Sequence, residues 1–292
     1  SFELSLLWLN ITDLQTSAGV EVNGVVADGG DNIYVVGQCY DCDAGGYGIN
    51  LIKFNSTGDH QTTYVTDPGI GNLEIGYDVA VDSSDNVYVT GRSDCHPTAS
   101  IGMHTMKYDS SGVKQWTNCT EWPVSYSDMD FAYGVAADNS GNVFITGSCN
   151  FSLFPMSYND ICTTKFDTNG VHQWTNVTDI AGNDDIGYDV ATDTSGDAYI
   201  TGKCNSCGGV GGSILLVKFD TDGNHQWTNI SDPSGGNDYG YGVAVDDSNN
   251  VYVGGTCGVC GSGGNSTMYT MKFDTNGQFQ WAQQSGLDSG DA

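Results

Sequence analysis

The stretch IGYDVATDTSGDAYITG, residues 186–202, decides the fold. It reads as a run of small and apolar residues, a turn rich in Asp, Ser and Gly, and a second apolar run that closes on a glycine. Apolar and polar residues alternate with period two on both sides of the turn, which is the pattern of paired antiparallel strands. The turn residues supply short side-chain acceptors and a glycine able to take positive φ. The stretch returns as IGYDVAVDSSDNVYVTG at 75–91, FAYGVAADNSGNVFITG at 131–147 and YGYGVAVDDSNNVYVGG at 239–255, and in diverged form as EVNGVVADGGDNIYVVG at 21–37. Its closing residue is Gly37, Gly91, Gly147, Gly202 or Gly255. The spacing is about 50 residues, the length of a radially repeated β unit.

Outward from each copy lies a variable loop and then LIKFNSTG (51–58), TMKYDSSG (105–112), TTKFDTNG (163–170), LVKFDTDG (216–223) or TMKFDTNG (270–277). A strand carrying Trp follows: QWTNCTE at 115–121, QWTNVTD at 173–179 and QWTNISD at 226–232, with a worn copy LWLNITD at 7–13. Each unit thus reads as four short strands: A (188–192 in the fourth unit), B (198–201), C (215–219) and D, ending at Trp227. Four antiparallel strands repeated at this period describe a blade of a β-propeller. The expected fold is all-β, a five-bladed propeller of four-stranded antiparallel blades with an extra terminal strand. Residues 1–19 form an N-terminal strand and linker, and 20–281 the propeller, in repeats of about 9–62, 63–116, 117–174, 175–227 and 228–281. Residues 282–292 are left as a C-terminal tail.

GNDYGYGVAVDDSNNVYVGG (236–255) and MKFDTNGQFQW (271–281) resemble the SBBP-type β-propeller repeat of secreted and surface proteins of bacteria and archaea. The resemblance spans nearly the whole chain. It implies the propeller fold and a structural, surface-associated role, and it implies no reaction.

Composition narrows the function classes. Asp and Glu number 36 against 8 Lys and Arg. A nucleic acid or an anionic membrane surface is repelled by such a field, whereas cations and basic partners are not. No apolar run approaches the length of a membrane span, about 18 residues. Five of the basic residues, Lys53, Lys107, Lys165, Lys218 and Lys272, share one slot of strand C. Asp28, Asp82, Asp138, Asp193 and Asp246 share a slot closing strand A, so structural ion pairs between the two slots are expected. A charge repeated in every unit marks architecture, because an active site breaks the repeat.

The 10 cysteines fall into local pairs: Cys39–Cys42, Cys149–Cys162, Cys204–Cys207 and Cys257–Cys260, with Cys95–Cys119 as the fifth. Disulfides and an extracellular or cell-surface location are the expectation, with zinc the rival for the CxxC pairs. Acceptor sequences for N-glycosylation occur at Asn10, Asn55, Asn118, Asn150, Asn176, Asn229 and Asn265. Those behind the Trp slot are expected to face outward where strand D leaves the blade.

Just before strand A, Glu74, Asp130, Asp185 and Asp238 occupy one slot, with Glu21 one place later in the first unit. A ring of carboxylates at the mouth of a propeller channel would hold Ca²⁺; linker turns capped by Asp are the plainer reading. The DTDGN turn at 220–224 lacks the Gly and Glu positions of an EF-hand loop. GGVGGS at 208–213 has no following Lys-Ser/Thr for a phosphate loop. His60, His172 and His225 sit in separate blades, while His96 and His104 flank a loop near Cys95. No nucleophile elbow or triad spacing is present.

The leading expectation is therefore a non-enzymatic, secreted or surface structural protein without a resident cofactor. Its partners are other copies of itself, joined through a terminal strand into a filament or layer. The alternatives are a lectin-like or cation-dependent binding module using the B–C loops and surface glycans, and a channel-centred hydrolase or lyase.

Overall fold

A computed structural model describes residues 20–40, 47–66, 74–94, 101–120, 130–150, 158–180, 182–209 and 211–285. Among the described residues, twenty strands form five sheets of four. Blade I holds β1 (Val20–Ala27), β2 (Ile33–Tyr40), β3 (Tyr47–Phe54) and β4 (His60–Thr66). Blade II holds β5 (Ile75–Val81), β6 (Val87–Ser93), β7 (Gly102–Tyr108) and β8 (Lys114–Thr120). Blade III holds β9 (Phe131–Ala137), β10 (Val143–Asn150), β11 (Asn159–Phe166) and β12 (His172–Thr178). Blade IV holds β13 (Asp185–Thr192), β14 (Ala198–Asn205), β15 (Gly212–Phe219) and β16 (His225–Ser231). Blade V holds β17 (Tyr239–Val245), β18 (Val251–Cys257), β19 (Thr267–Phe273) and β20 (Phe279–Ser285). Within each blade the strands pair antiparallel in chain order. The all-β propeller with five four-stranded blades is as the repeat predicts. The extra strand expected near residues 4–8 lies outside the described residues.

The first strand of each blade packs on the first strand of the next, β1 on β5, β5 on β9, β9 on β13 and β13 on β17. Each inner strand carries a bulge, for instance between Gly187 and Asp189 of β13. The repeated closing glycine is explained there. A Cβ on Gly37, Gly91, Gly147, Gly202 or Gly255 would run into the backbone carbonyl of Glu21, Ile75, Phe131, Ile186 or Tyr239 on the bulged partner strand.

The tight turns follow from their aspartates. Asp193 Oδ1 accepts from the amides of Ser195 (2.8 Å) and Asp197 (3.0 Å), and Gly196 completes the turn at φ +82°. The C–D turns repeat the device, with Asp220 accepting from Asp222 and Asn224.

The core lies between blades. Tyr34, Val36, Ile49 and Leu51 of blade I bury against Val79, Val87, Val89, Met106 and Tyr108 of blade II. The same arrangement joins blades II to III, III to IV and IV to V. Every blade thus has a forward face, turned to the next blade in sequence, and a back face. The outer strand D differs from expectation. It runs four residues beyond the Trp slot, to Thr66, Thr120, Thr178, Ser231 and Ser285, so the start of the expected tail is strand.

Candidate functional site

The seams from blade II to III and from III to IV are fastened by one repeated set of side chains. Lys107 Nζ donates to the carbonyl and hydroxyl of Thr168 (3.0 and 2.9 Å), Trp116 Nε1 to the same carbonyl (3.2 Å), and Asn118 Nδ2 to the Gly170 carbonyl (2.8 Å). At the next seam Lys165, Trp174 and Asn176 repeat these contacts on Thr221 and Gly223. Asn229 donates to Gly277 at the last seam (2.9 Å). The turn glycines leave room for the indole; a Cβ on Gly223, for example, would press on Trp174.

Two expectations are corrected here. Asn118, Asn176 and Asn229 do not face out where the strand leaves the blade; they lie within strand D and are half-buried, with their amides on the neighbouring turn. Asn55 sits in a C–D turn bonded to Thr57 and Asp59, Asn150 at the end of β10, and Asn265 on an exposed loop. Asn10 lies outside the described residues.

The slot lysines do not pair generally with the slot aspartates. Among the described residues only Lys218 does so, 3.7 Å from Asp193 and 2.9 Å from Asp197. Instead each ammonium stands about 5 Å from the ring directly across the sheet: Lys53 over Tyr34, Lys107 over Tyr88, Lys165 over Phe144, Lys218 over Tyr199 and Lys272 over Tyr252. The tyrosine hydroxyl then donates to the slot aspartate, Tyr88 to Asp82 (2.8 Å) and Tyr199 to Asp193 (3.0 Å). Where the ring is tyrosine it stands between the two charges, and among the described residues only Lys218 adds an ion pair to the ring contact.

The inner strands hold two carboxylates that sequence reading missed. Asp78 and Asp189 occupy a slot that is Gly24, Gly134 and Gly242 in the other blades. Each bridges a seam: Asp78 accepts from Val79 and from Val135 of blade III, and Asp189 from Val190 and from Val243 of blade V. Burial pushes Asp78 up to about 7, with the charge of Asp189 adding to it and the amide hydrogen bonds opposing. Burial likewise pushes Asp189 up to about 6. The legible signal was GYDVA alternating with AYGVA and GYGVA. Beside them runs an arc of tyrosines, Tyr77, Tyr133, Tyr188 and Tyr241, with ring centroids 5.1, 6.0 and 5.4 Å apart.

Glu74, Asp130, Asp185 and Asp238 are all buried. Three of them accept hydrogen bonds from the end of strand B of their own blade, two of them also from the segment that leads into strand A. Asp130 accepts from Asn150, Asp185 from Asn205 and Ile180, and Asp238 from Gly258 and Ser234. One member does meet other carboxylates: oxygens of Asp160, Asp179 and Asp185 lie within 4.8 Å of one another. Burial first, then the neighbouring acids, pushes Asp160 up to about 6 and Asp185 to about 7. This trio, of hard oxygen donors from one seam, has the chemistry to hold Ca²⁺.

Cys149–Cys162, Cys204–Cys207 and Cys257–Cys260 are disulfides with Cα–Cα separations of 5.8, 5.8 and 5.6 Å. Zinc is thereby replaced by cross-links in those loops. Cys39 and Cys119 are also disulfide-bonded, while Cys42, Cys95 and His96 lie outside the described residues. His60, His172 and His225 each bond a threonine of their own strand. His104 is buried beside Thr117, and burial pushes it down to about 4.

The two ends of the blade series are the remaining feature. In the forward-face slot of strand C, Ile49, Met103, Ile161 and Ile214 are at most 1% exposed, whereas Met268 of blade V is 68% exposed. On the back face, Val79, Val135 and Val190 are at most 5% exposed, whereas Val25 of blade I is 65% exposed, as is Val22. Trp281 and Tyr241 stand exposed on blade V as well. These are core surfaces turned to water.

Comparison with known proteins agrees with this architecture. Residues 125–155, around β9 and β10, match the SBBP family, a beta-propeller repeat. No curated protein matches the chain as a relative. Among solved structures it is similar to a polysaccharide lyase of family PL25, an ulvan lyase, with 11% identity and TM-score 0.58 over 89% of this chain and 68% of that one. It is also similar to a protein of unknown function from Dyadobacter fermentans, with 10% identity and TM-score 0.56 over 93% and 84%. The polysaccharide lyase Uly1 aligns with 11% identity and TM-score 0.52, this chain spanning 56% of its length. At such identities these likenesses establish the fold alone.

Proposed function

We propose that the protein is a non-enzymatic contact protein of the cell exterior, a disulfide-stapled set of SBBP blades that associates through its end faces. The observation that carries this is the exposure of Met268 on one end and Val25 on the other, in slots whose counterparts at the internal seams are buried or, at Val243, half-buried. Monomeric soluble proteins leave contiguous apolar core surface uncovered where a partner covers it. The disulfides support an oxidising compartment, and no helix among the described residues is long and apolar enough to cross a membrane.

The repeated side chains have architectural tasks: the slot lysines, the strand D asparagines, and Asp78 and Asp189, each of which engages two backbone amides. The carboxylates of Asp78 and Asp189 are taken up by backbone amides on both sides of a seam, which favours the contact reading over a channel-centred hydrolase or lyase. Size-exclusion chromatography with light scattering and negative-stain microscopy, over a wide concentration range at neutral pH, test the proposal. Growth of oligomers with concentration is expected, and a monodisperse monomer throughout overturns it.

A further inference from the structure

The two exposed end faces differ from the internal seams in one reciprocal way. At an internal seam the forward face presents a β-branched residue from strand B, Val36, Thr90, Thr146 or Thr201. The facing slot on the next blade's inner strand is Gly76, Ala132, Gly187 or Gly240. The fit is tight. A Cβ on Gly76 would come 2.6 Å from Val36 Cγ2, and a Cβ on Gly187 or Gly240 would press on the hydroxyl of Thr146 or Thr201. Ala132, the one methyl in this slot, is fully buried against the cluster of Tyr88 and Met103.

At the ends both sizes are inverted. Blade V has Gly254 in the β-branched slot, and a Cβ built there meets nothing within 4 Å. Blade I has Val22 in the glycine slot, 65% exposed. A blade with Thr or Val in the forward slot would collide with Val22, and a blade with Gly in the back slot would leave a gap at Gly254. Knob and hole have changed sides, and the two ends match one another and no internal face.

We infer that the partner covering the forward face of blade V is the back face of blade I of a second copy of this chain, with Val22 seated over Gly254 beside Met268. This rests on the contact reading proposed above and names its partner. Such a contact is heterologous. It uses two different patches, and successive copies add head to tail, giving a filament or a larger ring according to the rotation per copy. The match in size makes the seam selective, because the internal faces are excluded from it by collision or cavity.

The test uses the full chain in three forms: wild type, Gly254→Val and Val22→Gly. The Gly254→Val side chain projects into open space in its own blade, and Val22→Gly removes an exposed side chain at the backbone-entropy cost of a glycine in a strand, so circular dichroism of each variant accompanies the measurement. Sedimentation velocity is expected to show wild-type oligomers, with at least a tenfold weaker association for Gly254→Val alone. Mixing Gly254→Val with Val22→Gly should restore association, since one variant's forward face then fits the other's back face as an internal seam does. Wild-type association with no loss in Gly254→Val overturns this inference and leaves the contact reading standing. Wild type that stays monomeric at every concentration overturns both. A monomer whose melting temperature drops with Gly254→Val and recovers in the double variant of one chain overturns the second copy in favour of blade I closing on its own blade V.

Discussion

Replacing Asn176 separates the two meanings of its sequence motif. The Asn176 amide donates to the Gly223 carbonyl at 2.7 Å, across the seam from blade III to blade IV, beside Trp174. Asn176→Ala deletes a neutral hydrogen bond, worth about 0.5–1.5 kcal/mol, and leaves a half-buried carbonyl unpaired at a cost of about 1–3 kcal/mol where desolvation is complete. Gly223 is itself only partly buried, so water recovers part of that and the expected loss is roughly 1–2.5 kcal/mol. For a domain of this size, at about 2–4 °C per kcal/mol, the melting temperature falls by roughly 2–10 °C. Thr178→Val removes the glycosylation acceptor while keeping the Asn176 amide, and is expected to stay within about 0.5 kcal/mol of wild type. Both variants are made in the periplasm of a bacterium without N-glycosylation, so that disulfides form and no glycan confuses the comparison. Urea unfolding followed by tryptophan fluorescence reads the difference. Equal losses in the two variants, or no loss in Asn176→Ala, refute the reasoning that this asparagine fastens one blade to the next.

Three further outcomes are expected. Asp78 and Asp185, both raised to about 7, and Asp160 and Asp189, raised to about 6, are held by the fold toward the protonated form. Their contribution is full below the unfolded carboxylate pKa, about 4, and is lost as pH rises through 6 to 7, so the melting temperature should fall between about pH 5 and pH 8. Asp78→Asn should flatten that slope while lowering stability at pH 5, and an unchanged slope counts against Asp78. Calcium at pH 7.5 should raise the melting temperature of wild type and leave Asp160→Asn unmoved; an equal shift in both removes the acidic trio as its site. Trp227, which packs on the Gly277 turn, should cost about 2–4 kcal/mol on truncation to Ala. The same truncation of Trp281, on the exposed end face, should cost under about 1 kcal/mol, and equal losses in chemical denaturation would mean that the end face is covered within the monomer.

The blade architecture was legible because its determinants are local and repeated. The Asp-x-Ser-Gly turns, the period-two strands and the bulge glycines each act within one hairpin. The seams were less legible, because a residue in strand D takes its meaning from a turn about 50 residues onward. Asn176 therefore reads as a glycosylation acceptor from its own neighbours and as a clasp only beside Gly223. The slot lysines misled for a related reason. Lys107 and Asp82 are both near Tyr88, and the ring between them takes up each partner's interaction. Asp78 and Asp189 were visible as departures from glycine, yet nothing local says that their carboxylates cross to Val135 and Val243.

The end faces carry the last step of the argument. In an array whose blades touch only their neighbours, a side chain on a seam is constrained from both sides, and one on a solvated face from neither. If the faces of blades I and V met only water, polar residues would be the stable and soluble choice in those slots. Met268, Trp281, Val22 and Val25 are apolar instead. Their sizes are also ordered, with a valine opposite the hole that Gly254 leaves. Apolarity alone asks for some cover. The inverted knob and hole ask for one particular cover, and within this chain's repertoire of blade faces only blade I's back face and blade V's forward face supply the two halves.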